Sequence, residues 1–244
     1  AIFNSAGEIE GEWRAATDTN RTADEFGVWL GQLMDRDGID PKDVTGSVIA
    51  TVVPANLINL QALCRNGFGT EPLVVGRPEV DLGLEVLIDH PNEVGADRLC
   101  NSVAAHEQFP GSLLVIDFGT ATSFDLIDSD GNYRGGVIVP GINLSLEALH
   151  QGAAQLPRIA VERPVNVVGS GTITAMQSGI FWGHVSIIEG MVSRIAVEFG
   201  SPLTVIATGG VAAMFMDATS AIQHWAPDLT LHGLYAIHQR NQEK

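Results

Sequence analysis

The 244-residue chain is poor in lysine, cysteine and aromatic residues, and each shortage excludes something. Lysine occurs only at Lys42 and Lys244, so no Gly-x-x-x-x-Gly-Lys-Ser/Thr loop exists and a lysine-based phosphate cradle is excluded. The 13 basic residues face 29 acidic ones, a formal charge of −16 that argues against nucleic acid or an anionic membrane as the main partner. Cys64 and Cys100 lack CxxC or zinc-site spacing, which makes a reduced, cytoplasmic protein the expectation. The seven histidines show no metal-ligand spacing either. No uninterrupted apolar run approaches the roughly 20 residues of a bilayer span, so no membrane partner is expected. What remains is a globular composition, 45% hydrophobic and 17% charged, long enough for one large core or two lobes.

Periodicity and turn residues divide the chain. Residues 1–4 and 9–15 read as a hairpin around Ser5-Ala6-Gly7. Thr22-Ala23-Asp24-Glu25 is a capping box, and Phe26, Leu30, Leu33 and Met34 follow at helical spacing up to Gly38. A buried strand is expected over 47–53, closed by Pro54, then a helix with Leu57, Leu60 and Leu63 on one face. Short strands are expected over 73–75 and 84–88, and a helix over 95–109. Pro110-Gly111 sets the lobe boundary, giving an N-terminal lobe of 1–110 and a C-terminal lobe of 111–244.

The second lobe opens with the apolar run Leu113-Leu114-Val115-Ile116. It continues through an alternating stretch over 122–128, a turn at Ser129-Asp130-Gly131-Asn132 and a return strand over 133–139. Helices are expected over 144–149 and 172–199, the latter open to interruption at Gly179 or Gly183. A strand over 203–207 and a final helix over 230–242 complete it. Both halves share one strand and helix order, except that the first lacks its opening strand. The fold class is therefore α/β, with two lobes built on mixed sheets.

Three places could carry chemistry. Asp117-Phe118-Gly119-Thr120-Ala121-Thr122 puts a carboxylate, a glycine and two hydroxyls at the tip of an apolar strand, where open α/β sheets bind ligands. The carboxylate would hold phosphate only through a cation; an aspartate that merely solvates a turn has the same spacing. Thr208-Gly209-Gly210 follows the other apolar strand and leaves room for a ring or sugar against the backbone, although plain turns share this sequence. Gly95-Ala96-Asp97-Arg98 sets an acid and a base at a helix start. Asp97 there suits a proton acceptor and Arg98 a carboxylate-binding fork, against the bland alternative of a solvated helix end.

With these residues in view, the chain resembles the type III pantothenate kinases of the actin, hexokinase and heat-shock ATPase superfamily. The resemblance rests on Pro91 to Arg98, Asp117 to Thr122, Gly135-Gly136-Val137-Ile138-Val139-Pro140-Gly141, Ala148-Leu149, Leu156-Pro157, Gly169 with Thr172, Ala175 to Gly179, and Thr208-Gly209-Gly210. It implies a two-lobed, ribonuclease H-like (actin-like ATPase) fold whose first strand, carrying an Asp-x-Gly-Asn-Thr phosphate loop, is absent from the given chain. It also implies ATP-dependent phosphorylation of the primary hydroxyl of pantothenate, the first step towards coenzyme A.

The same resemblance assigns roles. Asp97 would be the proton acceptor, with Gly95, Ala96, Arg98 and Thr172 contacting pantothenate. Asp117 would hold a monovalent cation (K⁺ or NH4⁺), and Gly119, Thr120, Thr208 and Gly209 would contact ATP. Mg²⁺ would accompany the nucleotide, and a homodimer would form through the second lobe. Ile88 stands where many members carry tyrosine, and Ser170-Gly171 where asparagine or aspartate is common. Two other readings stay open at this point: a non-catalytic regulator of the same fold, and a sister kinase for another small hydroxy acid.

Overall fold

The computed structural model describes residues 1–152 and 156–242; Lys244, one of the two lysines, lies outside the described residues. Contacts divide the chain into two compact units. The first comprises Ala1–Glu85, Asp89–Ala104 and Leu229–Lys244, the second Val86–Ile88 and Ala105–Asp228. The change of unit falls at Ala104/Ala105, not at Pro110-Gly111, and the C-terminal helix groups with the first unit.

In the first unit, β1 (Ile2–Phe3) and β2 (Ile9–Gly11) pair antiparallel, while β3 (Val48–Ile49) and β4 (Leu73–Val74) pair parallel in a separate sheet. Helix α1 (Ala23–Arg36) starts as its sequence demands. The Glu25 amide donates to Thr22 Oγ1 (3.3 Å), and the Thr22 amide to Glu25 Oε2 (2.8 Å). The expected strand over 47–53 is cut to two residues. Thr51 folds its side chain onto the backbone, accepting the Val53 amide at 3.0 Å and donating to the Val53 carbonyl at 3.2 Å, which ends the ladder. Pro54 then opens α2 (Pro54–Leu63) as its first residue. Helix α3 (Ala96–Gln108) follows Gly95.

The C-terminal helix α6 (Leu229–Gln242) is tied to this unit at both ends. Thr230 Oγ1 donates to Asn101 Oδ1 at 2.6 Å. The Asp81 amide donates to Asn241 Oδ1, and Asn241 Nδ2 returns to the Asp81 carbonyl. Tyr235 stacks on Phe3 at 4.9 Å.

The second unit is built on one five-stranded sheet. Strands β5 (Leu113–Phe118), β6 (Ala121–Ile127) and β7 (Tyr133–Pro140) form an antiparallel meander, and β8 (Thr204–Thr208) and β9 (His224–Trp225) add in parallel, giving the order β7-β6-β5-β8-β9. Alternation along these strands makes one face apolar. Leu114, Ile116, Phe118, Phe124, Val205 and Ala207 pack in one core with Ile180, Phe181, Val185 and Ile188 of α5 (Thr172–Phe199). Helix α4 (Ile142–Gly152) adds Ile142 to it. The α/β class with mixed sheets is thus what the structure has.

Two expectations need correction or completion. The strand expected over 84–88 is not formed; only an isolated bridge links Val86 to Tyr133, with the Leu87 amide donating to the Tyr133 carbonyl at 2.8 Å. Gly83 just before it lies in the left-handed region (φ +70°), so extended backbone does not lead into the segment. Helix α5 runs through Gly179 and Gly183 without interruption for 28 residues. Two glycines cost it about 1 kcal/mol each, and its buried apolar face outweighs that. By length and composition alone α5 is long and apolar enough to cross a membrane; part of its apolar surface, including Ile180, Phe181, Val185 and Ile188, packs in the core of the second unit.

Candidate active site

The sheet of the second unit brings together five of the residues singled out in the sequence. Asp117 is the next-to-last residue of β5 and pairs with Thr208, the last residue of the parallel neighbour β8, so both strands end side by side at their C-terminal tips. Gly119 and Thr120 form the tight turn into β6, where the Gly119 amide donates to the Ala121 carbonyl at 3.0 Å. Gly209 lies directly against Asp117. A Cβ there would sit 2.7 Å from Asp117 Oδ1 and equally close to the backbone N and O of Phe118, and Gly209 has φ +93°. Only glycine fits the conformation and the space, and the result is a carboxylate framed by backbone.

Behind Asp117 the same sheet face carries a buried polar row. Ser123 pairs with Asp117, and Ser123 Oγ donates to Asp125 Oδ2 at 2.8 Å; Tyr133 Oη donates to Asp125 Oδ1 at 3.0 Å. Asp125 and Tyr133 are fully buried. In the sequence the row shows only as Ser123 and Asp125, two apart and alternating with Phe124 and Leu126.

Gly95, Ala96, Asp97 and Arg98 lie together in the first unit. Gly95 leads into α3, Ala96 is buried, and Asp97 Oδ1 accepts the Arg98 amide at 2.8 Å, a carboxylate at the positive end of its helix. Any side chain on Gly95 would meet Asp97 Oδ1 at 2.5 Å and Val52 Cγ1 at 3.3 Å. One turn further, Cys100 is buried to 0% exposure, and that burial, with the nearby Asp97 charge adding to it, pushes its thiol pKa well above the usual range. Thr172, in the second unit, is the first residue of α5. Gly171 caps it, its amide donating to Thr174 Oγ1 at 3.1 Å.

The sequence model of the type III pantothenate kinases matches residues 1–194. A type III pantothenate kinase of Rhodospirillum rubrum is 60% identical over 95% of this chain and 90% of its own length. That of Caulobacter vibrioides is 52% identical over 99% of this chain and 92% of its own. The chain belongs to the type III pantothenate kinase family. It is therefore a kinase, using ATP with a divalent metal. A solved structure described as a Baf family transcriptional activator from Campylobacter jejuni superposes with a TM-score of 0.58 at 17% identity, covering 84% of this kinase and 87% of that chain; the likeness is one of fold.

The donors at the strand tips suit hard cations. Asp117 offers carboxylate oxygen and the adjoining turn offers backbone oxygen, while no group of three or more His, Cys, Asp or Glu side chains gathers among the described residues. Such a set would suit an ion held largely by nucleotide phosphates and water.

Proposed function

We propose that Asp97 orients the primary hydroxyl of pantothenate and accepts its proton as the terminal phosphoryl group of ATP passes to that oxygen in line, giving 4′-phosphopantothenate and ADP. The observation that carries this reading is the placement of Asp97 at the start of α3, its Oδ1 fixed by the Arg98 amide at 2.8 Å and facing the space that Gly95 leaves open. Gly95, Ala96, Arg98 and Thr172 contact the acceptor, Arg98 as the fork for its carboxylate. Gly119, Thr120, Thr208 and Gly209 contact ATP at the tips of β5 and β8.

Asp117 holds a monovalent cation, K⁺ or NH4⁺, and Mg²⁺ travels with the nucleotide. Bound there, these ions offset phosphate charge that a chain of net charge −16 with two lysines cannot offset itself. The working form is a cytoplasmic homodimer assembled through the second unit. Exposed apolar side chains on and before α5, Val167 (64%), Val168 (86%), Ile173 (52%) and Val197 (79%), support that assignment.

Replacing Asp97 by asparagine tests the mechanism. Turnover with saturating pantothenate should fall about 10²–10⁴-fold while the KM for ATP stays near its original value. A near-normal turnover would remove Asp97 from the role.

A further inference from the structure

Val52 is an apolar side chain held out into solvent by a tight turn. It is 60% exposed. A single exposed valine is ordinary on a protein surface, so exposure alone says nothing. Two further observations set Val52 apart.

The first is rigidity. Thr51 Oγ1 bonds both the amide (3.0 Å) and the carbonyl (3.2 Å) of Val53, the Asn56 amide donates to the same carbonyl at 3.0 Å, and Pro54 follows immediately. The residue in the middle of that turn has little backbone freedom, and a β-branched side chain adds stiffness at χ1. Its isopropyl group is presented in one place.

The second is what it faces. The point where a Cβ on Gly95 would fall lies 3.3 Å from Val52 Cγ1 and 2.5 Å from Asp97 Oδ1. The Cγ1 methyl of Val52 and the carboxylate of Asp97 therefore border the same small space, which Gly95 keeps open. That space pairs a hydrogen-bond acceptor with an apolar wall.

The acceptor has the matching chemistry. In pantothenate the primary hydroxyl sits on a methylene attached to a quaternary carbon that carries two methyl groups. A hydroxyl turned towards Asp97 brings those methyl groups to the next position along, against an apolar surface. We propose that Val52 is a specificity-determining residue of this kinase, packing on the two methyl groups beside the reacting hydroxyl and selecting acceptors branched at that carbon. This rests on the assignment of Asp97 as the group that meets the hydroxyl. It adds a residue from the turn between β3 and α2 to an acceptor site otherwise assigned to residues 95–98 and Thr172.

The test couples the two partners of the contact. Initial rates are measured for the full-length enzyme and its Val52→Ala and Val52→Thr variants with two acceptors: pantothenate, and the analogue in which both methyl groups are replaced by hydrogen. Removing apolar groups from such a contact is worth roughly 10-fold in kcat/KM. The unaltered enzyme should favour pantothenate over the analogue by about 10-fold or more. Val52→Ala should reduce that preference about 10-fold, by lowering kcat/KM for pantothenate while leaving the analogue within about two-fold. Val52→Thr keeps the shape and exchanges one methyl for a hydroxyl, so it should fall between the two. Because Val52 is exposed, the thermal unfolding of both variants should match that of the unaltered enzyme.

Equal losses for both acceptors in Val52→Ala, or no loss for either, would overturn the assignment of Val52 while leaving pantothenate phosphorylation intact. An unaltered enzyme that fails to phosphorylate pantothenate would overturn the assignment of the reaction itself, and the Val52 proposal with it.

Discussion

Gly209 and Gly210 are adjacent, and the structure gives them opposite sensitivities. Alanine at 209 must adopt φ +93°, a conformation that costs an L-residue about 1–2 kcal/mol. Its Cβ must also fit 2.7 Å from three atoms, two of which are the backbone N and O of Phe118. That backbone cannot retreat, because β5 is hydrogen-bonded to β6 on one side and β8 on the other. Overpacking of this kind costs about 1–3 kcal/mol more. The total, about 2–5 kcal/mol, corresponds to a fall in Tm of roughly 5–15 °C for a chain of this size. Alanine at 210 meets nothing within 4 Å and needs no positive φ, so its Tm should stay within about 2 °C. Circular dichroism melts of both variants provide the comparison. Because the new methyl in Gly209→Ala presses on Asp117 Oδ1, a KCl titration of its residual kinase activity should also shift to higher salt. Equal melting of the two variants, or a Gly209→Ala enzyme with unaltered Tm and potassium response, would refute the close packing of Gly209 on Asp117.

Two other expectations follow from the site. Asp117→Asn removes the charge assigned to the monovalent cation, so half-maximal activation by KCl should move upward by about 10-fold; an unchanged titration would count against the placement. Burial raises the pKa of both Cys64 and Cys100, so at pH 8 the thiolate fraction is small. Both thiols should react slowly with iodoacetamide in the folded enzyme and readily in guanidinium, as read by mass spectrometry; rapid labelling of Cys100 in the native state would contradict its burial.

Much of this arrangement is legible in the sequence where one local rule acts alone. The Thr22/Glu25 capping box forms as written, because both hydrogen bonds are made within four residues. The strand tips carrying Asp117 and Thr208 are legible as strand ends, because in each an apolar run gives way to a glycine turn. The rest is decided by tertiary contacts. Residues 84–88 are apolar enough for a strand, yet only Val86 finds a bridge, since a pairing partner cannot be read from composition. Strand β9 has two exposed residues and no pattern to detect. Thr51 turning back on Val53 truncates the strand from 47 and presents Val52, an outcome that an apolar run ending in proline does not announce. The C-terminal helix packs with the first unit through Thr230, Tyr235 and Asn241, pairings as far as 160 residues apart in the chain.

The central claim is that one helix-start carboxylate readies the acceptor alcohol while a strand-tip carboxylate holds the shielding cation. A crystal structure of the enzyme with pantothenate, a non-hydrolysable ATP analogue, Mg²⁺ and K⁺ tests it most directly. The account predicts the primary hydroxyl within about 2.6–3.2 Å of the Asp97 carboxylate and K⁺ coordinated by Asp117. A hydroxyl turned away from Asp97 towards another base, with no ion at Asp117, would contradict it.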